Sequence, residues 1–118
     1  MAAGLVGCAP DKEESAPVRV GAEVLAENDF ASLSGQRVGL IANHTTRVDT
    51  SHLADRLAAA PTVELRALFS PEHGFRGTAG SGAKVGNARD PRTRAPVHSP
   101  SVATRRPPPG SLRGLGVP

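Results

Sequence analysis

The chain has no tryptophan and no tyrosine, and three phenylalanines are all it holds of the large aromatic residues among 118. A core must therefore be built from aliphatic side chains, because the residues that bury most area each are nearly missing. The same lack removes the stacking platforms on which single-stranded nucleic acids are held, so no nucleic-acid partner is expected. There is one cysteine, Cys8. It excludes an internal disulfide and any multi-cysteine metal site. No apolar run approaches the roughly 18 residues of a membrane-spanning helix.

Acid is missing from one half. Residues 73–118 carry eight Lys and Arg and only Asp90, a net +7, against −4 for residues 1–72. Eight of the 13 glycines and eight of the 11 prolines lie from Pro71 onward. Such a basic, Gly/Pro-rich tail reads as solvated and poorly folded, although arginines of this density can also attract an anionic partner. A chain of this size supports one small domain and buries only about two thirds of its unfolded surface.

The opening "MAAGLVGCAP" places Leu5-Val6-Gly7 before Cys8, which resembles the lipobox of bacterial lipoproteins. Seven residues are too few for a full signal, so either the match is chance or, the reading preferred, this stretch is a clipped signal with Cys8 as the lipidation site. "PDKEESAP" then suits a flexible tether. The expectation is an exported protein, periplasmic or extracellular, attached to a membrane through a lipid on Cys8.

From Pro17 the pattern is that of a folded domain. Val18 and Val20 alternate as in a strand, and Val24, Leu25 and Phe30 stand near helical spacing. "RVGLIA" (Arg37 to Ala42) predicts a buried strand, and the polar "NHTTRVDT" a loop whose Asp49 or Thr50 caps a helix. Leu53 and Leu57 make that helix's apolar stripe, with His52 facing solvent, until Pro61 stops it. "VELRALF" predicts the next strand. Strand, helix and strand over about thirty residues form a βαβ unit, which sets "NHTT" and "SPEHG" together at the carboxyl ends of parallel strands, where open α/β sheets bind ligands. Beyond Thr78 no apolar period is sustained, and the chain reads as loop.

The chemistry-bearing residues gather at that rim. Glu72, with His73 and Arg76 beside it, suits general acid or base work, its backbone fixed by Pro71 and Gly74; alternatively it pairs with Arg76 or accepts backbone N–H groups. Asn43 either holds a substrate hydroxyl or turns the chain. His44, His73 and Glu72 imitate a metal set, but their spacing is not that of a helical zinc signature, so no metal is expected. "TAGSGAKVG" lacks the GxxxxGK[ST] of a phosphate loop, since Val85 follows Lys84, and no cofactor is expected. Asp90 reads as a loop cap or a binding residue. "RRPPPG" reads as a spacer, with a polyproline ligand as the other use.

"VGAEVLAEN", "LSGQRVGLIANHTTRVD", "LRALFSPEHGFRGTAGSGAKV" and "DPRT", in this order between Val18 and Thr93, resemble the DUF1343 family, the exo-β-N-acetylmuramidases of bacterial cell-wall recycling. The resemblance implies a Rossmann-like first domain followed by a smaller second one, and removal of terminal N-acetylmuramic acid from peptidoglycan fragments. It puts Glu72 as catalytic residue, with Asn43, His44, His73 and Arg76 shaping the sugar site and peptidoglycan-derived sugars as partners. Glycoside cleavage needs a proton donor at the leaving oxygen, which agrees with Glu72. The resemblance also implies a further strand and the second domain beyond Val117-Pro118, and "HSPSV" has no tyrosine where the family carries an aromatic-rich loop.

The expected organisation is thus a signal remnant and linker (1–17), a partial Rossmann-like catalytic domain (18–78) and an irregular tail (79–118). In class it is α/β, an incomplete parallel sheet around a βαβ core. The expected function is the N-terminal fragment of an exo-β-N-acetylmuramidase, inactive alone. The alternatives are a non-catalytic, surface-tethered protein that binds glycan or another partner, and a nonfunctional product of a truncated gene.

Overall fold

The first helix forms where the sequence offers one acidic residue in the right place. In α1 (Gly21–Glu27), Glu23 turns its carboxylate back to accept the Val20 N–H at 3.1 Å, satisfying one of the free amides at the helix start. The helix ends at Asp29 and Phe30, both with positive φ (51° and 56°), and a 3₁₀ turn, Ala31–Leu33, follows. The computed structural model describes residues 15–71, 75–77, 88–99 and 106–116. Cys8, Glu72, His73 and Lys84 lie outside them. The strand expected at Val18 and Val20 does not form. Residues 15–20 are exposed and irregular, because two valines without a partner strand have nothing to pair with.

The two apolar runs are strands as expected. β1 (Arg37–Ile41) pairs in parallel with the later strand Glu64–Phe69. Between them the chain makes a small hairpin, β2 (Arg47–Val48) and β3 (Ser51–His52), turned at Asp49 with φ 54°. Then comes α2 (Leu53–Ala59), and Glu64–Phe69 is β4. Asp49 and Thr50 do not cap α2. They form the hairpin turn, and His52 takes the cap.

The sheet continues past the βαβ unit. β5 (Ala88–Arg89) and β6 (Pro96–His98) join it in the order β1-β4-β6-β5, with β6 parallel to β4 and β5 antiparallel to β6. The sheet is therefore mixed, and the loop reading beyond Thr78 is corrected for residues 88–98. Strands of two and three residues are too short to show an alternation, and Pro91 and Pro96 punctuate them. The residues 106–116 turn back to the opposite edge, where Arg37 and Gly116 exchange backbone hydrogen bonds of 3.1 and 2.7 Å. Gly39 makes this closure possible. A Cβ there would stand 2.7 Å from Leu115 Cδ1 and 3.1 Å from the Phe69 ring.

Helix α2 buries Leu53, Ala54 and Leu57, so the Leu53/Leu57 stripe faces the core as its spacing demands. Two apolar clusters result. Ala26, Phe30, Val48, Leu53, Leu57 and Val63 pack around α1 and the helix stripe. Ala42, Ala54, Leu68, Phe75, Ala95 and Val97 pack around β4 and β6. Each fully buried leucine contributes about 1.5–3 kcal/mol, and Phe75 carries the segment after Gly74 into the second cluster.

Candidate functional site

The loop after β1 is shaped by its own side chains. Asn43 Oδ1 accepts the Thr45 N–H at 3.0 Å and the Thr45 hydroxyl at 2.7 Å, while the Thr46 hydroxyl accepts the Asn43 N–H at 3.2 Å. This is an Asx turn, so the turning role foreseen for Asn43 is met and its amide oxygen is occupied. His52 secures the turn from the other side. Its Nε2 donates to Asn43 O at 2.8 Å and its Nδ1 accepts the Ala54 N–H at 3.2 Å, a pairing that requires the Nε2–H tautomer. The ring is buried, 4.7 Å from Phe75 between centroids. His52 is thus not the solvent-facing helix residue its position suggested; it ties the β1 loop, the start of α2 and Phe75 together.

The loop after β4 meets the loop after β1. Gly77 has φ 73°, and a Cβ on it would lie 2.9 Å from His44 Cβ. Only glycine serves both the left-handed backbone and the close approach. His44 itself is exposed. The two rim segments that the βαβ topology sets side by side are therefore in contact at His44 and Gly77. At the foot of the second loop Ser70 is buried, its N–H bonded to His98 O at 3.0 Å and its hydroxyl without a hydrogen-bond partner among the described residues.

Arg76 does not reach into an open site. Its Nε and Nη2 grip Asp90 at 2.8 and 2.7 Å, and its Nη1 and Nη2 grip Asp55 at 3.0 and 2.7 Å. Thr93 adds its N–H at 2.8 Å and its hydroxyl at 2.7 Å to Asp90 Oδ2. Arg76 Cζ also lies 5.4 Å from the Phe75 ring. The Asp90 side chain is 1% exposed and those of Arg76 and Asp55 19% each. Paired forks of this kind are strong and directional. Burial pushes the Asp90 carboxyl up, but the Arg76 hydrogen bonds and the Thr93 donors outweigh it and hold the group well below the usual carboxylate range. The Arg76 hydrogen bond likewise lowers Asp55 against its burial, and Asp90 and then Asp55 raise Arg76. The geometry thus makes Arg76 a clamp joining α2, the segment after Gly74 and the β5–β6 turn. Of the two roles foreseen for Asp90, the loop cap is the one present.

Sequence reasoning missed this clamp because its partners stand 21 and 14 residues from Arg76. Among the described residues no group of three His, Cys, Asp or Glu could hold a metal ion, and no helix is long and apolar enough to cross a membrane. A groove of about 490 Å³, lined by Phe30, Arg56, Ala59 and Pro61 among others, lies at the carboxyl end of α2. It is at the far end of that helix from Asn43 and His52.

Residues 38–117 match a family described as exo-beta-N-acetylmuramidase NamZ, N-terminal. The chain is 38% identical over 102 residues to the peptidoglycan beta-N-acetylmuramidase NamZ of Bacillus subtilis (strain 168), a match covering 85% of this chain and 24% of that protein. Two solved DUF1343 family proteins from Bacteroides fragilis share the fold. One has TM-score 0.67 and 41% identity over 78% of this chain and 22% of its own; the other has 0.51 and 33% over 70% and 21%. The chain therefore spans about a quarter of the length of the relatives it matches.

Proposed function

Since the chain belongs to the NamZ N-terminal family, we propose that it is the acid-bearing N-terminal part of an exo-β-N-acetylmuramidase that removes terminal N-acetylmuramic acid from peptidoglycan fragments. The observation that carries this reading is the meeting of the two rim loops. The matched residues include both, and His44 against Gly77 brings them together at the carboxyl ends of β1 and β4. That is where an open α/β sheet binds its ligand.

In this reading Glu72 is the catalytic residue and donates a proton to the leaving glycosidic oxygen, with His73 beside it and His44 and Asn43 bordering the sugar. Most glycosidases use two carboxyl groups. Neither Asp55 nor Asp90 is suited to be the second, because both are tied to Arg76 and held in the ionised form. A second carboxyl group then comes from residues other than these, and the chain by itself turns over little or nothing. The reading further places the protein outside the cytoplasm with a lipid on Cys8.

Release of para-nitrophenol from its N-acetylmuraminide tests the proposal, measured for the chain alone and for a protein extended by the remainder of a full-length relative. Turnover in the extended protein, lost on Glu72→Gln, is the expected result. Turnover that survives Glu72→Gln overturns the assignment of the acid. The occupied state of both described rim aspartates also favours a second reading, a non-catalytic glycan-binding chain. Binding of the sugar without turnover in the extended protein would establish it.

A further inference from the structure

The clamp that removes Asp90 from solvent leaves the β5–β6 turn with only positive charge at its surface. Asp90 is the sole acid among residues 73–118, and it is buried against Arg76 and Thr93. Around it Arg89, Arg92 and Arg94 are all exposed. Arg92 Nε lies 3.5 Å from Asp55 and offsets the charge that the two aspartates hold in excess over Arg76. Arg89 and Arg94 have no acid opposite them among the described ion pairs. Arg89 Nη1 donates instead to Arg94 O at 3.0 Å, which spans the turn and holds it closed. Arg94 has φ 65°.

The turn leads into the amino end of β6, and a series of contacts links it to the candidate site at the other end of the strands. Arg92 touches Asp55, Asp55 is forked to Arg76, and Phe75 next to Arg76 packs on His52, which holds Asn43 O. We propose that the Arg89–Arg94 turn is a docking surface for the carboxylates of polymeric peptidoglycan. The proposal rests on the muramidase reading and names a surface that retains the polymer while a strand end reaches the sugar site. The chemistry fits: muramic acid carries a lactyl carboxyl, peptide stems add more along each strand, and guanidinium groups bind carboxylates in paired hydrogen bonds. No tyrosine or tryptophan accompanies the arginines, which disfavours a nucleic-acid partner.

Co-sedimentation with purified peptidoglycan sacculi tests it without requiring turnover. The unmodified chain is expected to bind, and to bind about tenfold more weakly after Arg89→Gln with Arg94→Asn, the size expected for two exposed charge pairs. Asn is chosen at 94 because it tolerates the left-handed backbone. Arg106→Gln with Arg113→Gln removes the same charge elsewhere and should change binding less than about twofold by comparison. A second arm needs no variant. Sacculi whose carboxyls have been converted to amides should no longer retain the unmodified chain. Equal loss in the two double variants, retention on amidated sacculi, tighter binding to single-stranded DNA, or no binding by the unmodified chain each overturns the proposal. Failure of the muramidase reading registers separately, since the soluble muraminide assay does not involve the polymer.

Discussion

Arg76 is the residue on which the described rim turns. It neutralises two aspartates from different segments, and without it those carboxylates face each other in a largely buried space. Arg76→Met is expected to destabilise the chain by about 3–5 kcal/mol, as breaking a buried pair does. Arg76→Lys should recover little of this, because a point charge cannot fork to two carboxylates. The pH dependence has a definite sign. Asp55 and Asp90 are both held below their ordinary values in the fold. As pH falls through the unfolded carboxyl value of about 3.9, the unfolded chain takes up protons first and the stabilisation is lost. Urea midpoints measured from pH 6 down to 3 should fall for the unmodified chain and stay level or rise for Arg76→Met. An equal fall in both would show that the clamp is not responsible.

At the scale of elements, α2 is held by the capping residue just before it. His52→Ala removes both the acceptor for Ala54 N–H and the donor to Asn43 O, for an expected loss of about 1–2 kcal/mol. His52→Asn keeps a good capping side chain, so its thermal midpoint should fall between those of the unmodified chain and His52→Ala. Equal midpoints for Asn and Ala would mean that the bond to Asn43 O alone matters.

The same element explains what the sequence made legible. β1, α2 and β4 follow from two apolar runs and a four-residue leucine spacing, and those periods survive in the fold because each element buries one face. The cap was legible only as far as residue preference goes. Asp49 and Thr50 are the better cap formers, but a two-residue hairpin turn uses them, and histidine is left to do the work through Nδ1. β5 and β6 could not be seen, since two or three residues contain no period, and β6 depends on the neighbour that β4 supplies. At the candidate site, the contact of the two rim loops followed from topology. The Arg76 clamp did not, because ion pairs across 14 and 21 residues leave no local trace.

Across the whole molecule, stability should be graded from the middle of the sheet outward. β4 has a partner on both sides, whereas β5 ends the sheet on one edge and the Gly116 bridge covers only the start of β1 on the other. Native-state hydrogen exchange is expected to be slowest at the β4 amides and faster at Arg89 and Gly116, which have less packing to break before they open. Exchange at Gly116 as slow as at Leu68 would contradict this gradient.

The bridge between Arg37 and Gly116 has a consequence for the growing polypeptide. At about 5–20 residues per second, the 79 positions separating the two take about 4–16 s to synthesise. Until the later residue has emerged from the ribosome, the earlier strand can present an unprotected flank to neighbouring nascent chains. Chaperones that shield such flanks would be needed most during that interval, and slowing translation downstream of the first strand would lengthen the exposure.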